Sequence, residues 1–316
     1  MKRLRELLEG KKTVGIAGHV NPDGDCMGST LALYRYLKLN YPSLDVDLFL
    51  ESIRETYGFL PGVEQVQTQP SEKHYQVFFA LDCGDEDRIA VARGLYDQAD
   101  LRVNIDHHIS NRLYGDEYRV IADSSSASEV LYGILEEDGG RIDKDIAECL
   151  YVGIVQDTGV FQYPTTGQAT MNLAGKLMNY GIPYSDIIRQ TFFEKTYPQM
   201  QVMGYVLEQS ELFCDGKVLA GTLTLEEMGR YGAGPDDLDG VVSQMNQTRG
   251  LYCTIFLYER EPGISKLSLR STGRVDVSGI AVVYGGGGHK GAAGATIEGM
   301  PRDLLAGVLE EVKKRL

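Results

Sequence analysis

No two of the five cysteines form a CxxC pair; Cys26, Cys83, Cys149, Cys214 and Cys253 stand singly along the chain. An odd, scattered set in a chain too long to need staples excludes a disulfide scaffold and fits a reduced, cytoplasmic protein. Long apolar runs are missing as well. No stretch approaches the roughly 18–20 residues of a membrane span, and Met1-Lys2-Arg3-Leu4-Arg5-Glu6 opens a charged amphipathic segment, not a signal peptide. Basic residues are in deficit, 31 Lys and Arg against 45 Asp and Glu, for a net charge of −14. Such a charge repels a polyanion, so no long nucleic acid and no membrane is expected as partner. Bound divalent cations would cancel part of it locally and still admit small phosphorylated molecules. There is no repeat at solenoid or propeller periods, and no low-complexity tract beyond Gly285–Gly288.

What is present is a chain of 316 residues, 43% hydrophobic and 24% charged, long enough for two globular domains. From residue 13 to about 160, short apolar runs alternate with helical spacing, the signature of a parallel sheet covered by helices. The strands expected are Thr13–Gly18, Val46–Leu50, Val77–Leu81 and Leu101–Ile105, and the helices Met27–Leu39, Ala127–Glu137 and Asp145–Val155. The stretch from Pro183 to about Glu211 reads as a stiff helical connector, having no Gly/Ser-rich tract. Beyond it come hairpin-like strands at Val218–Leu225, Leu251–Tyr258 and Lys266–Leu269, a glycine-rich stretch, and a final amphipathic helix, Arg302–Arg315. The expected fold class is α/β, a parallel-sheet domain over residues 1–183, a helical connector over 184–211 and a smaller α+β domain over 212–316.

Ligands of open α/β sheets bind beyond the carboxyl ends of the strands, and three expected strands run directly into acids or histidines. His19, Asp23 and Asp25 follow the first, Asp82 ends the third, and Asp106, His107 and His108 end the fourth. Taken singly, each has a plain reading: Asp25 caps the helix that follows, and a strand-end aspartate forms a turn. Asp157, late in an apolar helix, opposes the helix dipole, which either a cation or solvent exposure tolerates. The distribution of histidines argues against coincidence. His19, His107, His108 and His289 all lie in these segments or in the glycine-rich one, and only His74 stands outside. Imidazole with carboxylate suits Mn²⁺, Fe²⁺, Co²⁺ or Zn²⁺, with Mn²⁺ the first choice. An aspartate between two such groups can bridge a pair of ions that share a hydroxide and clamp an in-line phosphoryl displacement. Farther along, Arg270, Ser271, Gly287, Gly288, His289 and Lys290 suit anion capture through backbone N–H groups and charged donors.

Together, His19-x-x-x-Asp23-x-Asp25, Asp82, Asp106-His107-His108, Asp157 and Gly286-Gly287-Gly288-His289 resemble the DHH phosphoesterase superfamily with its associated C-terminal domain, over nearly the whole chain. That resemblance implies two Mn²⁺, with Co²⁺, Fe²⁺ or Mg²⁺ as substitutes. His19, Asp23 and Asp82 would hold one ion, and Asp25, Asp82, His107 and Asp157 the other. It implies that His108 faces the substrate phosphate, that Asp106 orients the histidines, and that Arg270, Ser271, Gly287, Gly288 and His289 grip the substrate across a cleft between the domains. Within the superfamily the chain is similar to the NrnA-type group, which degrades very short RNA and removes the 3′-phosphate of 3′-phosphoadenosine 5′-phosphate. A soluble cyclic-di-AMP or linear-dinucleotide phosphodiesterase is the alternative. The implied partner is a small nucleotide or short RNA, and a homodimer is compatible with it.

Overall fold

A computed structural model describes residues 1–89 and 91–316, and its contacts divide the chain into two units, Met1–Glu194 and Lys195–Leu316. In the first unit the strands are β1 (Thr13–Ala17), β2 (Asp45–Phe49), β3 (Val66–Gln67), β4 (Val77–Leu81), β5 (Arg102–Asp106) and β6 (Glu117–Val120). They form one sheet in the order β3-β2-β1-β4-β5-β6, every pairing parallel. The helices are α1 (Leu4–Leu8), α2 (Gly24–Asn40), α3 (Arg93–Asp97), α4 (Ala127–Asp138), α5 (Lys144–Asp157), α6 (Gln168–Met178) and α7 (Tyr184–Ile188).

The central strand β4, Val-Phe-Phe-Ala-Leu, is buried throughout because both faces of the sheet are covered. Phe79 and Leu81 join Val14, Ile16, Val103 and Ile105 beneath α2, α4 and α5. On the opposite face, Phe78 packs edge-on against Tyr75 and Tyr96 and stacks with Phe49. The expected strands and helices are all present to within a few residues. The sequence reading missed β3 and β6, because two residues make no pattern and Glu117-Tyr118-Arg119-Val120 is a polar edge.

One buried carboxylate fastens the helical layer far from the strand tips. Asp138, 2% exposed, accepts hydrogen bonds from the Tyr36 hydroxyl at 2.7 Å and the Tyr41 hydroxyl at 2.8 Å, and pairs with Arg5. Asp138→Ala leaves those hydroxyls without their acceptor and is expected to lower stability by about 2 kcal/mol, with Asp138→Asn losing less. Urea unfolding followed by circular dichroism checks this; equal midpoints for Asp138→Ala and wild type would rule it out.

The second unit holds β7 (Glu211–Phe213), β8 (Val218–Leu223), β9 (Cys253–Glu261), β10 (Ile264–Ser271), β11 (Gly287–His289) and β12 (Ala292–Glu298) in the order β11-β12-β10-β9-β8-β7. Its helices are α8 (Tyr197–Gln209), α9 (Leu225–Gly229), α10 (Val241–Met245), α11 (Val277–Val283) and α12 (Pro301–Lys313). The hairpin reading holds for β9 with β10, but β8 and β9 lie parallel. The connection between them carries α9 and α10, and such a crossover returns the chain in the same direction. The glycine-rich stretch is also more ordered than a loop, since β11 and β12 pair antiparallel through it. Within the expected connector, α7 belongs to the first unit and α8 packs on β8 in the second through Val202 and Val206. Among the described residues, no helix is long and apolar enough to cross a membrane.

Candidate active site

The tips of β1, β4 and β5 and the end of α5 bring six side chains of the first unit together. His19 Nε2 lies 3.3 Å from Asp82 Oδ2 and 3.7 Å from Asp23 Oδ1. His107 Nε2 lies 3.0 Å from Asp157 Oδ2, 3.6 Å from Asp82 Oδ1 and 3.9 Å from Asp25 Oδ2. Asp82 thus stands between the two histidines and offers one oxygen to each. Three groups have donor atoms close enough for one ion: His19 with Asp23 and Asp82, Asp25 with His107 and Asp157, and Asp82 with His107 and His108.

Local structure fixes how each side chain points. His19 Nδ1 is 2.7 Å from the Val20 carbonyl and His107 Nδ1 is 3.3 Å from the Ser124 carbonyl. A carbonyl only accepts, so Nδ1 carries the proton and Nε2 is turned to the carboxylates. Asp82 has φ of +54°, a left-handed backbone that aspartate tolerates better than most residues and that turns its side chain at the strand end. Asp25 does not cap its own helix. Asp23 is the N-cap of α2, accepting from the backbone N–H of Asp25 and Cys26, both at 3.1 Å. Fully buried Asp25 instead accepts from the N–H groups of Ala127 at 2.6 Å and Ser128 at 3.0 Å, at the start of α4. Its carboxylate is held by another helix's free donors, which no spacing within its own segment could show.

His108 differs from the other two. Its Nδ1 is 2.7 Å from Asp106 Oδ1, and the Asn111 amide donates to Asp106 Oδ2 at 2.5 Å and to Asn104 Oδ1 at 2.9 Å. Asn104 and Asn111 were not singled out in the sequence; an asparagine inside a buried strand was the available signal. Asp106 therefore holds His108 directly, while His107 takes its orientation from the Ser124 carbonyl. His74 pairs at the surface with Asp100, away from these residues. In the second unit, Arg270 lies on β10, Gly287, Gly288 and His289 form the exposed strand β11, and Ser271 Oγ accepts from the N–H groups of Gly273 and Val275.

The electrostatics of the cluster fit divalent cations. Burial pushes the Asp25 carboxyl well above its usual range, and the charges of Asp82 and Asp157 push it further. Asp157 is raised to about 6, by burial first and by Asp82 and Asp23, with His107 opposing. Burial disfavours the imidazolium of His19 and His107, yet the surrounding carboxylates outweigh it and raise them to about 10 and about 12. Asp82 Oδ1 and His107 Nε2 are buried without a hydrogen-bond partner, the 3.0 Å approach to Asp157 lacking hydrogen-bond alignment. Crowded carboxylates, imidazoles whose pKa they raise, and two buried atoms without hydrogen-bond partners fit a cation site. The chemistry of the set, imidazole nitrogen with carboxylate oxygen, agrees.

This geometry predicts a proton count. With pKa values above neutrality, both imidazoles hold protons on Nε2 that a cation must displace. Uptake of divalent cations at neutral pH should release at least two protons per chain, from the imidazoles and from the raised Asp25 carboxyl, and apparent affinity should rise with pH through the neutral range. Calorimetry in buffers of different ionisation enthalpy measures the number; uptake with no proton release would contradict the assignment of both nitrogens.

Comparison with known proteins agrees in both units. Residues 13–154 match the model of the DHH family, N-terminal domain, and residues 215–316 match the DHHA1 domain. The bifunctional oligoribonuclease and PAP phosphatase NrnA of Thermus thermophilus is 31% identical, covering 100% of this chain and 94% of that protein. The chain belongs to the DHH family. The NrnA of Bacillus subtilis, of the same description, is 29% identical over 90% of this DHH chain and 89% of its own. The crystal structure of an exopolyphosphatase-related protein from Bacteroides fragilis superposes with a TM-score of 0.89 at 25% identity, covering 98% of this chain and 94% of that one. Phosphoester hydrolysis is accordingly the chemistry that this DHH chain supports.

Proposed function

We propose that the protein hydrolyses short oligoribonucleotides and 3′-phosphoadenosine 5′-phosphate with two divalent cations, Mn²⁺ foremost. The observation that carries this reading is Asp82, placed between His19 and His107 with one oxygen toward each and Oδ1 left without a hydrogen bond. His19, Asp23 and Asp82 would hold one cation, and Asp25, Asp82, His107 and Asp157 the other. The two ions would supply a water nucleophile at neutral pH and neutralise charge growing on the phosphate oxygens.

The chain's own residues do the rest. Asp82 and the N-terminus of α4, through Asp25, fix the carboxylates so that no reorganisation is needed as charge develops. Asp106 locks Nδ1–H of His108, which leaves Nε2 to meet the substrate phosphate or give a proton to the leaving oxygen. Arg270, Ser271 and the backbone N–H groups of Gly287, Gly288 and His289 would grip the phosphates. The names of the Thermus and Bacillus relatives support the substrate class.

The deciding experiment is a panel of purified protein with Mn²⁺ against 3′-phosphoadenosine 5′-phosphate, di- to pentaribonucleotides, cyclic-di-AMP and pyrophosphate. Fastest turnover of short RNA and 3′-phosphoadenosine 5′-phosphate is expected. Preference for the cyclic dinucleotide or pyrophosphate would overturn the substrate, and no hydrolysis at all would overturn the chemistry.

A further inference from the structure

The sheet of the second unit has two faces with unequal cover. Leu267 and Leu269 of β10 and Ala293 and Ala295 of β12 lie in the core built with α11 and α12. On the other face, α8 and α10 cover β8 and β9, through Val202, Val206, Leu219 and Phe256 among others. The alternate residues of β10 and β12 on that face remain half-buried or exposed.

Strand register sorts them into rows roughly 7 Å apart along the strands. Arg270 is opposite Ala292, which is opposite His289. In the next row Ser268 is opposite Gly294, which is opposite Gly287. In the third, Lys266 stands between Thr296 and Tyr258. The first row carries the Arg270 guanidinium and the His289 imidazole, the middle row has no side chain larger than serine, and the third supplies a lysine. That lysine leans inward: its Cε lies 3.9 Å from the point where a Cβ on Gly294 would sit, so the side chain reaches from its own row to the middle one.

Among the described residues neither Lys266 nor Arg270 takes part in an ion pair, and the hydrogen bond of Arg270 Nη1 goes to the Leu269 carbonyl. In a chain of net charge −14, two unpaired cations over a small-residue floor favour an anion with two charges set one row apart. Acidic side chains lie near the third row as well. Burial raises the pKa of the Tyr258 hydroxyl, Arg260 opposes, and the nearby carboxylates of Asp236 and Asp239 raise it further.

We propose that Lys266 is a specificity residue that takes a second phosphate of the substrate, one ribose away from the phosphate gripped by Arg270 and His289. Because Lys266 reaches the row of Ser268 and Gly294, its charge stands about one row from Arg270, roughly 7 Å, a spacing that suits phosphates on either side of one ribose. The substrate class implied is a nucleotide with two phosphates flanking one ribose, in preference to a dinucleoside with one. This rests on the phosphoesterase reading above and adds a residue and a selection rule to it.

The test compares ApA, which has one phosphate, with pApA, which adds a 5′-phosphate, using Mn²⁺-loaded wild type, Lys266→Gln and Lys266→Arg. In wild type pApA should be preferred. Lys266→Gln should reduce that preference about tenfold, through KM with kcat little changed, because one charge-assisted contact is lost. The salt dependence of kcat/KM for pApA should weaken in Lys266→Gln, because a screened charge–charge contact is lost, and Lys266→Arg should restore most of it. Equal losses on ApA and pApA, or no loss on either, would overturn the proposal. If wild type hydrolyses neither compound, the phosphoesterase reading itself falls, so the two failures are distinguishable.

Discussion

Replacing Asp82 with asparagine is expected to lower kcat/KM by at least about a thousandfold and to reduce bound Mn²⁺ from about two ions per chain to about one or fewer. Both oxygens of Asp82 are placed, Oδ2 toward His19 and Oδ1 toward His107, and an amide offers only one acceptor and no charge. The fold should survive. Asparagine also tolerates the left-handed backbone at φ of +54°, and the metal-free cluster loses one of several crowded charges. Metal-free Asp82→Asn should therefore unfold no earlier than wild type, which separates a catalytic loss from a structural one. Turnover within tenfold of wild type, with metal stoichiometry unchanged, would sink the role of Asp82.

The side chains that the strand tips bring together were legible as a set before any one of them was legible alone. His19, Asp82 and Asp106-His107-His108 could be placed at strand ends because β1, β4 and β5 are short apolar runs, and parallel strands put their carboxyl ends on one side of the sheet. What the sequence could not show were relations between distant segments. Asp25 looks like a local helix cap, yet its oxygens accept from Ala127 and Ser128, about a hundred positions on. The left-handed turn after Asp157, with φ of +55° at Gly159, +57° at Val160 and +63° at Phe161, runs against the preference of a β-branched residue. In the second unit, a run of glycines hides an edge strand because β11 and β12 are held by backbone pairing and carry almost no side chains to form a pattern.

Gly28→Ala is expected to destabilise the protein by about 3 kcal/mol and to weaken metal binding at the same time. Gly28 lies on α2 where it crosses α5. A Cβ there would sit 2.4 Å from the Cys149 carbonyl oxygen and 2.9 Å from the Gly153 nitrogen, both backbone atoms of a helix that cannot yield locally. Gly153, on the facing side, is equally confined, since its own Cβ would lie 2.4 Å from Asp25 Oδ1. The two glycines set the spacing of the helices that carry Asp25 and Asp157, two of the carboxylates around His107. Relief of the clash must move α5 away from α2, which separates those carboxylates along with the backbones. Guanidinium unfolding of metal-free protein reads the first effect and Mn²⁺ titration the second. An unchanged unfolding midpoint would show that the crossing can relax. A lowered midpoint with unchanged Mn²⁺ affinity would show instead that helix spacing and the carboxylate cluster are independent.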